Sequence, residues 1–231
     1  MPFFYYDSYY LIFVIPALLI ATFAQVKVQS TFKKYTTVLS RRNKTAAEVV
    51  RQILNQNGLQ AVSIERVSGN LTDHYDPRTN VIRLSDSVHD STSVAAIGVA
   101  AHEAGHAVQH ATGYTPIKLR NTVLPIANIG SSLALPLVIL GFAMSFEPLV
   151  SAGIILFSAL VLFQLITLPV EFNASRRAIQ TLESNYILDE EELSASKKVL
   201  SAAAMTYVAA ALVSAMQLLR LVLLSGNRKR R

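Results

Sequence analysis

Four long apolar runs without charge constrain the fold of this chain more than any other feature. They occupy residues 8–26, 121–146, 148–170 and 199–219 of the 231. Each is about long enough to cross a ~30 Å hydrocarbon layer as an α-helix, because a helix rises about 1.5 Å per residue. The composition agrees, since 52% of the residues are hydrophobic and only 16% are charged. The sequence therefore predicts a mainly α protein whose helices lie in a lipid bilayer.

The segment His-Glu-Ala-Gly-His at residues 102–106 indicates a chemistry. Four residues advance about one helical turn, so His102 and His106 project side by side from one face of a helix. Glu103 is then placed to reach a water molecule bound to a metal between them. This HExxH arrangement is typical of zincins, in which zinc lowers the pKa of the water and the glutamate moves its proton. The chain has no cysteine, which excludes thiolate ligands.

The surroundings of this motif favour a metal over an ordinary role for the histidines. Residues 93–101 carry no charge and are mostly small or apolar, so they predict a helix packed inside the protein. Buried polar groups without a partner are costly, and a metal is the simplest partner for this triplet. The alternative is a pair of core histidines that are hydrogen-bonded to neighbouring groups.

Local patterns place the motif in a small α+β region. A capping box at Thr45–Glu48 predicts a helix that ends near Gly58. Residues 62–67 predict a first strand and residues 80–84 a second, an edge strand, with a turn at 73–77 between them. The motif helix is expected from the capping serines at 91–93 to about Ala111. The expected fold is thus membrane helices plus a zincin-like catalytic region with a small β-sheet and an HExxH helix.

Basic residues are distributed asymmetrically along the chain. No Lys or Arg precedes Lys27, and none occurs from 121 to 175, whereas the segment between is rich in both. The positive-inside rule therefore predicts that residues 27–120 face the cytoplasm, as does Glu171, and that Glu147 lies outside. We interpret the net charge of +6 as part of this topology signal and not as a nucleic-acid binding surface. We therefore expect no nucleic-acid partner.

The apolar runs divide the chain into four predicted segments. These are a transmembrane anchor at 1–26, a cytoplasmic zincin half with the HExxH helix at 27–120, a transmembrane helical hairpin at 121–170, and a third-ligand helix with a C-terminal apolar helix at 171–231. The run at 199–219 is long enough for a fourth span, but its alanine content makes it a weak insertion signal. Both alternatives remain open at this stage.

Several residues are candidates for the third protein ligand that a catalytic zinc usually has. The metzincin pattern is excluded because a threonine stands where its third histidine would be. His110 lies two turns beyond His102, about 12 Å along the helix axis, and is a poor co-ligand. Glu171 follows the third apolar run, and the predicted hairpin returns it to the membrane face of the histidines. Glu183 and the acidic residues 189–192 could also reach the metal, but only if a further helical segment brought the chain back to the site.

Four ordered blocks of the chain resemble the YugP-type neutral zinc metallopeptidases of bacteria. They are Asp-His-Tyr-Asp-Pro-Arg (73–78), Val-Ala-Ala-His-Glu-Ala-Gly-His-Ala-Val-Gln-His (99–110), Val-Glu-Phe-Asn-Ala-Ser-Arg-Arg-Ala (170–178) and Ala-Met-Thr-Tyr-Val-Ala-Ala (204–210). The resemblance covers essentially the whole chain. More remotely, the chain is similar to the HtpX and CAAX prenyl protease group.

This resemblance implies a site of one catalytic Zn²⁺ held by His102, His106 and Glu171, with Glu103 as the general base. In the remote group an aspartate usually stands four residues after the ligand glutamate. Ser175 occupies that place here, and a serine is a weaker partner for a ligand histidine than a carboxylate.

The residues and the resemblance together predict a membrane-anchored zinc endopeptidase of the gluzincin type. Its partners would be the lipid bilayer and a peptide or membrane-protein substrate, and its active site would face the cytoplasm from a multi-pass position in a bacterial cell membrane. One alternative is a site-2-type intramembrane protease, whose aspartate ligand could only be Asp189, outside every apolar run. The other is a non-catalytic membrane scaffold, which would not need an intact HExxH motif.

Overall fold

A computed structural model of the chain describes residues 7–228. The first six residues of the predicted anchor and the end of the basic tail, 229–231, lie outside the described residues. The fold is mainly α with one small sheet, as predicted. In chain order its elements are a π-helical turn (Tyr10–Val14), α1 (Ile15–Tyr35), α2 (Ala46–Gln56), β1 (Ser63–Val67), β2 (His74–Asp76), β3 (Val81–Ser85), α3 (Val94–Ala111), α4 (Thr115–Ala143), α5 (Glu147–Ser184) and α6 (Glu190–Arg228).

Four helices of the described chain are long and apolar enough to cross a membrane. They are Tyr10–Tyr35, Thr115–Ala143, Glu147–Ser184 and Glu190–Asn227. The fourth includes the run at 199–219, so length and composition allow a fourth span there. α5 continues past its apolar part without a break, and Glu171 therefore lies inside this helix.

The described residues form two compact units. The first contains the chain up to Gln25, Lys118–Leu168, and the residues from Met205 onward. Its core is made by apolar side chains of α4, α5 and α6, including Val138, Phe157 and Leu221. The second contains Val26–Ile117 and Pro169–Ala204, and with them the sheet, α2, α3 and the HExxH motif.

Capping and burial explain two helices of the second unit, α2 and α3. Thr45 and Glu48 form the predicted capping box of α2, whose buried face is apolar. The Ser93 side chain accepts a hydrogen bond from the Ala96 backbone N–H and so begins α3 where the sequence predicted. α3 is alanine-rich and largely buried in the core of this unit. Its small side chains allow close approach of neighbouring helices.

The sheet differs from the prediction in one respect. The strand predicted at 80–84 as an edge strand is β3, which lies in the centre, parallel to β1 and antiparallel to β2. The prediction of an edge strand there was wrong, because the predicted turn at 73–77 contains β2. Pro77 favours an extended conformation for the residue before it. Asp76 then accepts a hydrogen bond from the Arg78 backbone N–H, which starts the turn into β3.

Candidate metal centre

α3 presents the two histidines of the motif side by side. Their Nε2 atoms lie 3.1 Å apart, and their ring centroids lie 4.6 Å apart. His106 is buried, and His102 is partly buried. The spacing of one helical turn thus brings both ring nitrogens to one point on the surface of α3, as the sequence predicted.

A carboxylate from α5 completes this group. The Oε2 atom of Glu171 lies 3.3 Å from Nε2 of His102 and 3.5 Å from Nε2 of His106. Glu171 is only 3% exposed. One ligand atom from each of the three residues lies within 4.8 Å of the others, and within residues 7–228 no second group of three or more His, Cys, Asp or Glu converges in this way.

The three ligand atoms fit a zinc ion. Zinc bonds to nitrogen and oxygen are about 2.0–2.2 Å long, so two ligands of a tetrahedral site lie about 3.3–3.6 Å apart. The observed separations of 3.1, 3.3 and 3.5 Å are close to that range. Oε2 of Glu171 is also buried and accepts no hydrogen bond of good geometry, which is costly for an oxygen unless a cation compensates it.

The electrostatics of the site favour a positive charge. Burial by itself lowers the pKa of the His106 imidazole, but the Glu171 carboxylate and the charge of Glu103 outweigh this effect and raise the pKa. The same negative charges would stabilise a divalent cation.

Burial also raises the pKa of Asp73, although Ser85 hydrogen-bonds to it, and the charge of Glu103 adds to this increase.

Each histidine is held on its far side by a neutral polar group. The Nδ1 atom of His102 lies 3.0 Å from the Ser175 hydroxyl, so Ser175 contacts one of the two motif histidines. The Nδ1 atom of His106 lies 3.0 Å from the side-chain carbonyl of Gln109. Such contacts fix the ring orientation of a ligand histidine.

The comparisons with known proteins also indicate a zinc protein. The model of a family described as "Putative neutral zinc metallopeptidase" matches residues 10–226. The chain belongs to this family. It is 49% identical over 218 residues to the "Putative membrane protease YugP" of Bacillus subtilis (strain 168), which covers 94% of this chain and 97% of the relative. No solved structure matches the chain.

Membership of this family confirms the resemblance that was drawn from the four sequence blocks. The metal that the family implies is zinc, and the cluster of His102, His106 and Glu171 offers a site for it. The family and the relative also make the chain a membrane protein of the zinc metallopeptidase class, with helices capable of spanning the bilayer.

The structure brings only some of the predicted residues together. Glu103 is buried, 8% exposed, but it is not one of the converging ligand atoms. His110 is exposed and stands against the Tyr75 ring, with 6.1 Å between the ring centroids. Glu183 is exposed. Asp189 accepts a hydrogen bond at the start of α6 and forms an ion pair with an arginine, so it is engaged away from the histidines.

Two polar residues of the site were not predicted from the sequence. Gln109 is completely buried and links α3 to α5, where its amide donates to the Val170 carbonyl and to the Asn173 side chain. A signal for Gln109 was present, because it lies three residues after His106 and therefore on the same face of α3. Asn173 gave no such signal, since its contact depends on how the two helices approach.

A glycine inside the motif sets the approach of α3 to α5. A Cβ added at Gly105 would lie 2.8 Å from the backbone carbonyl oxygen of Ala174. We predict that Gly105→Ala forces the helices apart, lowers the free energy of unfolding by about 1–3 kcal/mol, and weakens zinc binding because Glu171 moves with α5. Thermal melting and zinc titration measure both effects. Gly226→Ala is the matched control, since no atom lies within 4 Å of its added Cβ; wild-type zinc affinity in Gly105→Ala would refute the prediction.

Proposed function

We propose that this protein is a zinc-dependent endopeptidase in which His102, His106 and Glu171 hold one catalytic zinc and Glu103 is the general base. The observation that carries the proposal is the convergence of three ligand atoms at separations of 3.1–3.5 Å. A glutamate as third ligand makes the site gluzincin-like. The buried Glu103, next in sequence to a ligand, supplies the acid–base group that this chemistry requires.

The proposed reaction is hydrolysis of a peptide bond. Zinc, when bound in such a site, polarises the substrate carbonyl and lowers the pKa of a water molecule to about 7. The Glu103 carboxylate accepts a proton from the attacking water and transfers it to the amide nitrogen as the C–N bond breaks. Ser175 and Gln109 hold the two imidazoles in the orientation in which their Nε2 atoms face Glu171.

The sheet suggests how a peptide is held. β2 pairs with β3 on one side, and no further strand of the described chain pairs with its other side. α3 packs against β2. An extended peptide that added to the outer edge of β2 would gain backbone hydrogen bonds in the same unit as the HExxH helix. We therefore propose extended segments of peptides, unfolded proteins or membrane proteins as substrates.

The two alternative functions are less well supported. A site-2-type intramembrane protease would use Asp189 as a ligand, but this carboxylate forms an ion pair with Arg41, with 2.7 Å between the charged atoms. A non-catalytic scaffold has no need for the buried Glu103. The direct test is peptide hydrolysis by purified wild-type and Glu103→Gln protein of equal zinc content.

We also propose a multi-pass position in the bacterial cell membrane with the active site facing the cytoplasm and the four segments arranged as the sequence predicts. The support is the concentration of basic residues between Lys27 and Arg120. A single cysteine at position 147 should react with an impermeant thiol reagent from outside the cell, and one at position 42 only after the cells are opened. The native chain is free of cysteine, so no background needs to be removed. Labelling of position 147 only from the cytoplasmic side would contradict this topology.

A further inference from the structure

Gln109 connects the two helices that carry the metal-ligand candidates. It is 0% exposed, and its side chain makes three polar contacts. Its Oε1 atom lies 3.0 Å from Nδ1 of His106, and its Nε2 atom lies 2.8 Å from the Val170 carbonyl oxygen and 3.0 Å from Oδ1 of Asn173. One buried amide therefore contacts a histidine on α3 and the residue directly before Glu171 on α5.

The partners on α5 fix the orientation of this amide. A backbone carbonyl only accepts hydrogen bonds, so the Val170 oxygen requires the NH₂ group of Gln109. Asn173 Oδ1 is also an acceptor, since the Arg177 Nε–H donates to it over 2.8 Å. The reversed amide would place its oxygen 2.8 Å from the carbonyl oxygen of Val170, where both carry negative partial charge. The Gln109 oxygen must therefore face His106.

The orientation of the amide fixes the tautomer of His106. A carbonyl oxygen 3.0 Å from Nδ1 accepts a hydrogen bond only if that nitrogen carries the proton. The neutral ring then has its lone pair on Nε2, the atom that faces Glu171 and His102. The Ser175 hydroxyl beside His102 exerts no such control, because a hydroxyl both donates and accepts.

We propose that Gln109 is a positioning residue that holds His106 in the Nδ1–H tautomer and ties it to the backbone before Glu171. This one side chain thus fixes the positions of two proposed ligands, His106 on α3 and Glu171 on α5, relative to each other. The inference rests on the proposed metal site. The role of Gln109 requires both the oxygen and the NH₂ group of its amide, so a side chain that only accepts hydrogen bonds could not fill it. A carboxylate at this position would accept from His106 but would place a second oxygen against Val170 and Asn173.

Three variants of the full-length protein test the proposal by zinc affinity. Gln109→Met keeps the length of the side chain and removes the amide, so zinc should bind about 10–100-fold more weakly. Gln109→Glu should bind zinc similarly weakly, because its carboxylate lacks the donors that Val170 and Asn173 need. Ser196→Ala is the control, since it removes a buried hydroxyl of the same unit that makes no hydrogen bond, and it should bind zinc like wild type. Wild-type zinc affinity in Gln109→Met or Gln109→Glu would overturn the proposal.

A spectroscopic measurement keeps the proposal testable if a variant does not fold. ¹⁵N-histidine NMR of the metal-free wild-type protein, recorded at increasing pH until the His106 ring has lost its second proton, should show the neutral ring as the Nδ1–H tautomer. An Nε2–H signal for His106 would refute it. A role of Gln109 in packing alone would not move this signal, whereas the proposal expects a mixture of tautomers in Gln109→Met. These readouts do not depend on catalysis, so a wild-type protein that bound zinc but hydrolysed no peptide would refute the proposed function and leave this inference intact.

Discussion

Replacement of Glu103 by Gln should lower the rate of peptide hydrolysis by about 10²–10⁴-fold while the protein retains one zinc per chain. The amide keeps the size of the side chain but cannot accept a proton from water, and general acid–base catalysis contributes about this factor. Zinc content should not change, because Glu103 is not among the converging ligand atoms. The measurement is the steady-state hydrolysis of an unfolded protein substrate by purified wild-type and variant protein, with zinc determined on the same samples.

Glu183→Gln is the matched control for this experiment. It makes the same chemical change on an exposed residue of α5 in the same unit, and its activity should equal that of wild type. Unimpaired hydrolysis by zinc-loaded Glu103→Gln would refute the general-base role. If wild-type protein bound zinc and hydrolysed no peptide or membrane-protein substrate, the scaffold alternative would be supported.

The parts of the fold that the sequence predicted are those with a local cause. The capping box of α2 and the start of α3 at Ser93 depend on side chains three residues away. The long helices follow from apolar runs that have to satisfy their backbone groups internally in lipid. The pairing of His102 with His106 follows from the helical repeat alone.

The parts that were missed depend on contacts between distant segments. β2 has only three residues and was not predicted as a strand. It pairs with β3 and forms the edge of the sheet, a position that the sequence analysis assigned to β3. The burial of Gln109 and its bond to Asn173 depend on the close approach of α3 and α5. The Ser175 contact to His102 has the same origin, since the two residues are separated by 73 positions.

Glu171 was predicted only in part. The order of the apolar runs predicted its side of the membrane, but no local pattern predicted its distance from the histidines. Nor did the sequence show that α5 continues without a break from its apolar part to Ser184. This continuity makes the position of Glu171 depend on the packing of a long helix against α3. The assignment of Glu171 as a ligand is therefore the part of the proposal that most needs a direct test.

Glu171→Ala should lose stoichiometric zinc and, with it, all zinc-dependent peptidase activity. The substitution removes one of three ligand atoms and the only negative charge among them. The loss of zinc affinity should therefore exceed the ~10–100-fold that is typical for removal of a residue that only orients a ligand. The helical fold should be retained, because the apolar core of this unit does not include Glu171. Zinc per chain and circular dichroism on the same purified sample measure the two outcomes.

Two controls separate the loss of a ligand from a general effect on the site. His102→Ala should lose zinc in the same way as Glu171→Ala, since each removes one of the three converging atoms. Glu183→Ala and His110→Ala should keep one zinc per chain, because both residues are exposed and lie outside the cluster. Wild-type zinc content in Glu171→Ala would refute its role as a ligand, and loss of zinc in Glu183→Ala or His110→Ala would then identify the third ligand. If Glu171→Ala and His102→Ala alone lose zinc, the ligand set consists of residues from α3 and α5, and zinc itself joins the two helices that Gln109 already connects.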